Sequence, residues 1–136
     1  MKSKRSLLLV EDDRVDIMTI ERALKEIKIT NKLNIVRNGE EALEFLKNNR
    51  NEKPCVILLD LNMPKMNGIE FLKVIRADII YKKIPAIVIT AYGETEIMNQ
   101  CYEAGANNFM VKPINFAKFK AKIDETLAAT EKEYTS

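Results

Sequence analysis

Short apolar runs recur along the chain, each closed by a polar or charged residue, and the segments between them carry apolar positions at helical spacing. Residues 6–10 (SLLLV) lead into Glu11, Asp12 and Asp13. Ile17, Ile20, Leu24 and Ile27 then recur every three or four positions, which predicts a helix over 14–28. Thr30 and Asn31 break that pattern, and 32–36 (KLNIV) reads as a weaker strand. Asn38-Gly39 turns the chain into a second helix with Ala42, Leu43, Phe45 and Leu46 inward, and a polar loop over 48–53 follows. Residues 55–59 (CVILL), opened by Pro54 and ended by Asp60, form the longest uninterrupted apolar run of the pattern, as suits a strand buried on both faces. Asn62, Pro64, Asn67 and Gly68 mark a loop before a helix over 69–77. Pro85 opens the β-branched run 86–90 (AIVIT), and a helix from Gly93-Glu94 to about Ala104 ends on Gly105 as its C-cap. Residues 108–111 make a last strand, followed at once by Lys112-Pro113. Asn115 caps a final helix with Phe116, Phe119, Ile123 and Leu127 on one face, and 130–136 reads as a frayed polar tail.

Strands and helices alternate five times, with no repeat or linker between them. Such alternation predicts an α/β fold, a parallel sheet covered on both faces and joined by right-handed crossovers. In a parallel sheet the C-terminal ends of all strands share one edge. That edge collects Glu11, Asp12, Asp60, Thr90 and Lys112. Asp60 taken alone equally suits a cap for the loop or helix after it. Clustered carboxylates repel one another unless a cation offsets the charge, and an all-oxygen set of ligands suits Mg²⁺. Magnesium pairs with phosphate oxygens, Lys112 offers a point charge for the same group, and a carboxylate such as Asp60 can accept a phosphoryl group as a nucleophile.

Composition narrows the chemistry further. The 136 residues carry no histidine, which excludes histidine-dependent nucleophiles, histidine metal sites and phosphohistidine on this chain. A formal charge of +2 is too small to suggest nucleic acid or a membrane surface as partner. With no signal-peptide pattern and no apolar run of membrane-spanning length, a cytoplasmic single-domain protein is expected. Cys55 and Cys101 lie on apolar segments and are expected to be reduced packing residues.

Four motifs fall at strand ends in order: VED at 10–12, LLDLNMPKMNG around Asp60, ITA at 89–91 and VKP at 111–113. Together they make the chain resemble a response-regulator receiver domain, the phosphoacceptor half of two-component signalling. The resemblance covers residues 6 to about 127. It implies a flavodoxin-like five-stranded sheet of order 2-1-3-4-5 with five helices. It also implies Asp60 as the phosphorylation site, with Mg²⁺ ligated by Asp12, Asp60 and the backbone carbonyl of Asn62, and with Glu11 acting mainly through water. Lys112 is expected to hold a phosphoryl oxygen, aimed by a cis bond to Pro113. Thr90 is expected to move towards the phosphoryl group, for which Ala91 leaves room. Phe109 stands where the family has a switch aromatic, although a core phenylalanine on a short strand looks the same. Asn62 and Tyr92 flank the phosphoryl group's path to water. Asp13 needs no functional role, since a helix N-terminus stabilises acids anyway.

The implied phosphoryl donor is a histidine kinase or phosphotransfer protein. With no further domain after the last helix, output is expected through a downstream protein partner. The surface for it is the face of the fourth helix, fifth strand and fifth helix, where Tyr92, Met98, Tyr102, Lys118 and Lys122 fall. The DLNMP wording is similar to small regulators of bacterial phytochrome kinases, some of which dimerise, so a homodimer is a further expected assembly. Two other functions compete. An aspartate-nucleophile phosphatase of the haloacid-dehalogenase kind would need an acid where Asn62 stands. An unphosphorylated docking module would have lost an acid, the threonine or the lysine.

Overall fold

A computed structural model describes residues 4–61 and 66–135, with the side chains described as far as 129. Five parallel strands form one sheet in the order β2-β1-β3-β4-β5. They are β1 (Leu7–Val10), β2 (Leu33–Val36), β3 (Val56–Leu59), β4 (Ala86–Thr90) and β5 (Asn108–Val111). The helices between and after them are α1 (Arg14–Glu26), α2 (Gly39–Asn48), α3 (Gly68–Ala77), α4 (Thr95–Ala104) and α5 (Phe116–Thr135). This is the flavodoxin-like order and alternation expected.

The uninterrupted apolar runs are explained by burial on both faces of the sheet. Leu8, Val10, Ile57, Leu59, Ala86 and Val88 pack into a layer with Ala42, Leu46, Phe71, Leu72, Ile75 and Cys101 from α2, α3 and α4. Their strand neighbours Leu7, Leu9, Val56, Leu58, Ile87 and Ile89 face the other way, onto Ile20, Ala23 and Leu24 of α1 and Phe119 and Ile123 of α5. A strand residue on either parity is therefore a core residue, and alternation disappears from the sequence. Both cysteines are buried and reduced.

Local chemistry sets the helix ends. Asn38 accepts from the Glu41 amide to start α2, and Asn67 and Glu70 form a capping box on α3. Asn115 accepts from the Lys118 amide at the start of α5. Gly105 closes α4 at φ 114°, in the left-handed region, and a Cβ there would collide with the Arg76 side chain. Arg76 uses that space to donate to the Gly105 carbonyl at 2.8 Å and to Asn107 Oδ1 at 2.9 Å, and Asn107 in turn accepts from the Ala86 amide.

Several boundaries shift from expectation by a residue, and two helix C-termini differ by more. α1 stops at Glu26 rather than residue 28, because Lys28 takes φ 62° and turns the chain so that Ile29 enters the core beneath α1. At the other end α5 continues to Thr135 where a frayed tail was expected. Between 116 and 135 the sequence has no glycine or proline and is rich in Ala, Lys and Glu, so nothing in it stops a helix.

Leu58 is fully buried in the layer beneath α1 and α5. Its replacement by alanine is expected to lower the free energy of unfolding by about 2–5 kcal/mol, measured by urea denaturation. A loss well under about 1 kcal/mol would contradict this packing.

Candidate functional site

Three of the predicted site residues at strand ends have the backbone held by a hydrogen bond that continues the sheet ladder past the strand. The Glu11 amide donates to the Val36 carbonyl at 2.9 Å, the Asp60 amide to Val10 at 3.0 Å and the Lys112 amide to Thr90 at 2.8 Å. The loop after Asp60 returns closely enough that a Cβ on Gly68 would lie 2.9 Å from the Asp60 carbonyl oxygen. Lys112 is followed by a cis peptide bond to Pro113, as expected.

These positions converge on an open cleft of about 650 Å³, lined among others by Glu11, Asp12, Asp16, Asp60, Tyr92 and Lys112. One carboxylate oxygen from each of Glu11, Asp12 and Asp60 lies within 4.8 Å of those of the other two. Glu11 and Asp60 are buried, whereas Asp12 is exposed to solvent. The Lys112 ammonium lies 3.2 Å from Glu11 Oε2 and 3.8 Å from Asp60 Oδ2. Its shortest ion pair is to Asp16 Oδ2, at 2.6 Å.

Burial, and next the nearby charge of Asp60, push the Glu11 carboxyl up to about 7, against hydrogen bonds from the Asp13 amide and Lys112 that favour the anion. Burial alone would lower the Lys112 ammonium. The hydrogen bond to Asp16 and the charges of Asp60, Glu11 and Asp16 outweigh it, so Lys112 stays charged, above its ordinary value. The donor set for a cation is all oxygen and anionic, closely spaced and free of sulfur and imidazole. It fits a hard divalent ion such as Mg²⁺.

Not every predicted residue joins the cleft. Thr90 is fully buried at the same sheet edge, and its hydroxyl accepts from the Tyr92 amide at 3.3 Å. Phe109 is 6% exposed and packs in the core layer with Cys101, Ala104 and Ala106, so its ring lies inward in this structure. Tyr92 borders the cleft and is 45% exposed. Tyr102 and Lys118 are exposed on the expected output face, while Met98 and Lys122 are half-buried. The expected Asn62 ligand lies outside the described residues.

Asp16 was missed in the sequence. Its signal was available: it sits in the first turn of α1, one turn beyond Asp12, and helical side chains lean back towards the N-terminus, here towards the sheet edge.

The chain thus combines a 2-1-3-4-5 parallel sheet with an acid cluster, a threonine and a lysine at its C-terminal edge. The response regulator receiver domain family matches residues 7–124, and the chain belongs to that family. It is 34% identical over 125 residues to chemotaxis protein CheY1 of Helicobacter pylori strain J99, covering 92% of this chain and 98% of that protein. Among solved structures, the bacteriophytochrome response regulator RtBRR superposes with a TM-score of 0.81 at 36% identity, covering 90% of this chain and 77% of that one. The manganese-bound form of response regulator Rcp1 superposes with a TM-score of 0.72 at 31% identity, covering 93% and 88%. The protein is a receiver domain of two-component signalling. None of its described helices is long and apolar enough to cross a membrane.

The raised Glu11 carboxyl predicts a pH dependence of the metal-free protein. From about pH 4.5 to 7 folded Glu11 keeps a proton that the unfolded chain has lost, so its contribution to stability falls as pH rises through that window. In a chelator, wild type is expected to lose on the order of 2 kcal/mol more than Glu11→Gln between those limits, read from paired denaturation curves. Parallel pH profiles for the two proteins would refute it.

Proposed function

We propose that Asp60 accepts a phosphoryl group from a histidine kinase or phosphotransfer protein in the cytoplasm, and that the modified rim alters binding to a downstream protein. The observation that carries this is the meeting of Glu11, Asp12 and Asp60 oxygens within 4.8 Å, with the Lys112 ammonium 3.8 Å from Asp60. A carboxylate oxygen of Asp60 forms the new bond to phosphorus. The bond from phosphorus to the donor's imidazole nitrogen breaks, and its electron pair leaves with that nitrogen. Asp60 needs no general base, since its carboxylate is already the nucleophile. Glu11, Asp12, Asp60 and the Asn62 carbonyl are the residues assigned to hold Mg²⁺, and the bound ion supplies positive charge to the phosphoryl oxygens.

Lys112 neutralises a further phosphoryl oxygen from the β5 side of the cleft. The Thr90 hydroxyl, one strand from Asp60, exchanges its Tyr92 amide partner for the phosphoryl group as donor. That movement is passed to the face formed by α4, β5 and α5, next to Phe109, where Tyr92 and Tyr102 offer aromatic surface to a downstream protein or a second copy of the chain. Catalytic capacity is confined to gaining and losing this one group.

Incubation with Mg²⁺ and acetyl phosphate is expected to add the mass of one phosphoryl group to wild type and none to Asp60→Asn, read by intact mass. An equal gain in the variant would overturn the assignment of Asp60. Since Tyr92 flanks the approach of water, Tyr92→Ala is expected to shorten the lifetime of the phosphorylated protein. An unchanged lifetime after donor removal would reject that role.

A further inference from the structure

The Lys112 ammonium has three N–H donors. In this structure one meets Asp16 at 2.6 Å and another Glu11 at 3.2 Å, while Asp60 stands at 3.8 Å, beyond hydrogen-bonding distance. The lysine therefore leans towards α1 and away from the residue that takes the phosphoryl group. Its third N–H is uncommitted, but moving towards a phosphoryl oxygen on Asp60 draws the ammonium off its two present partners, which differ in what release entails. Glu11 is 1% exposed, so water does not readily take the place of the ammonium there. Asp16 is 31% exposed, so water replaces the ammonium there at small cost.

We propose that Asp16 is a positioning residue of the phosphoryl-transfer reaction, a tether that draws Lys112 to the α1 side of the cleft and yields it to the arriving phosphoryl group. The inference rests on Asp60 being the phosphoacceptor. It makes Asp16 act on the two ions of the reaction with opposite signs. Its negative charge, and its hold on Lys112, keep the acid cluster favourable for a cation. The same charge and the same hold oppose an incoming anion. A neutral residue at position 16 lets Lys112 move towards Asp60, where it competes with the metal and meets the phosphoryl group unencumbered.

The test compares wild type with Asp16→Asn, Asp16→Ala and Asp16→Glu at one fixed pH, each checked for cooperative unfolding. Mg²⁺ affinity is measured by calorimetry. The second-order rate constant for phosphorylation by acetyl phosphate is measured by intact mass under saturating Mg²⁺. Both neutral variants are expected to bind Mg²⁺ about threefold more weakly yet phosphorylate about threefold faster, as for a partly exposed ion pair. Asp16→Glu, which restores the carboxylate, is expected to stay close to wild type. A residue that merely supports the fold would weaken both quantities, so losses in parallel, or no change in either, overturn the proposal. Wild type gaining no phosphoryl group would instead overturn the assignment of Asp60, and this inference with it.

Discussion

The C-terminal edge of a parallel sheet forces carboxylates together, and the rest of the molecule is arranged around that constraint. β1 and β3 are neighbours in register, so the residues after Val10 and Leu59 emerge side by side and both are acids. Buried Glu11 and Asp60 cannot move apart, because each amide is bonded to the adjacent strand. Their repulsion shows in the raised Glu11 carboxyl, to which burial and the Asp60 charge are the leading contributors. An apolar core on both faces of the sheet supplies the stability against which this crowding is tolerated. The result is a rim of closely spaced acids whose charge a hard cation suits.

The counter-charge comes from the far edge of the same sheet. Among the described residues β5 lies at the edge of the sheet, paired with β4 on one side, and an edge strand positioned this way needs other anchors to hold a lysine steady. Side chains provide them. Asn107, just before the strand, accepts from both Arg76 and the Ala86 amide, which locks the strand's start to α3 and β4. Asn108 is buried and donates to Thr126 Oγ1 on α5, tying the strand to the helix behind it. Lys112, at the strand's end, is thereby placed within reach of acids from β1, α1 and β3.

How much of this the sequence disclosed follows from which contacts are local. Strands were legible because two-sided burial leaves plain apolar runs, and their ends were legible because the residue after each run is polar. Once the sheet is parallel, Glu11, Asp12, Asp60, Thr90 and Lys112 must share an edge. Caps at Asn38, Asn115 and Gly105 are likewise written within a few residues of their helices. What escaped depends on tertiary placement. Lys28 in the left-handed region, against its ordinary preference, answers to the burial of Ile29 rather than to any local signal. The contact of Asp16 with Lys112 joins residues 96 apart in sequence, and it exists only because the first turn of α1 overhangs the acid cluster. The inward seat of Phe109 also needed the core layer around Cys101 and Ala104 to be visible.

Lys112 is consequently more than a counter-ion. Through its side chain it joins β1, β3 and α1, while its backbone belongs to the end of β5, next to the surface of α4 and α5. Any group that attracts the ammonium away from Asp16 must loosen the link between α1 and β5, whatever else it does in the cleft. Thr90 reaches the same region by a different route, through its hydroxyl and the Tyr92 amide. The chemistry proposed for Asp60 thus has two physical outlets on opposite flanks, one through an ion pair to α1 and one through a hydrogen bond at the start of the loop into α4. The first is an ion pair whose acid is partly exposed, whereas the second joins two uncharged groups, so ionic strength should act on one flank of the molecule and leave the other nearly untouched.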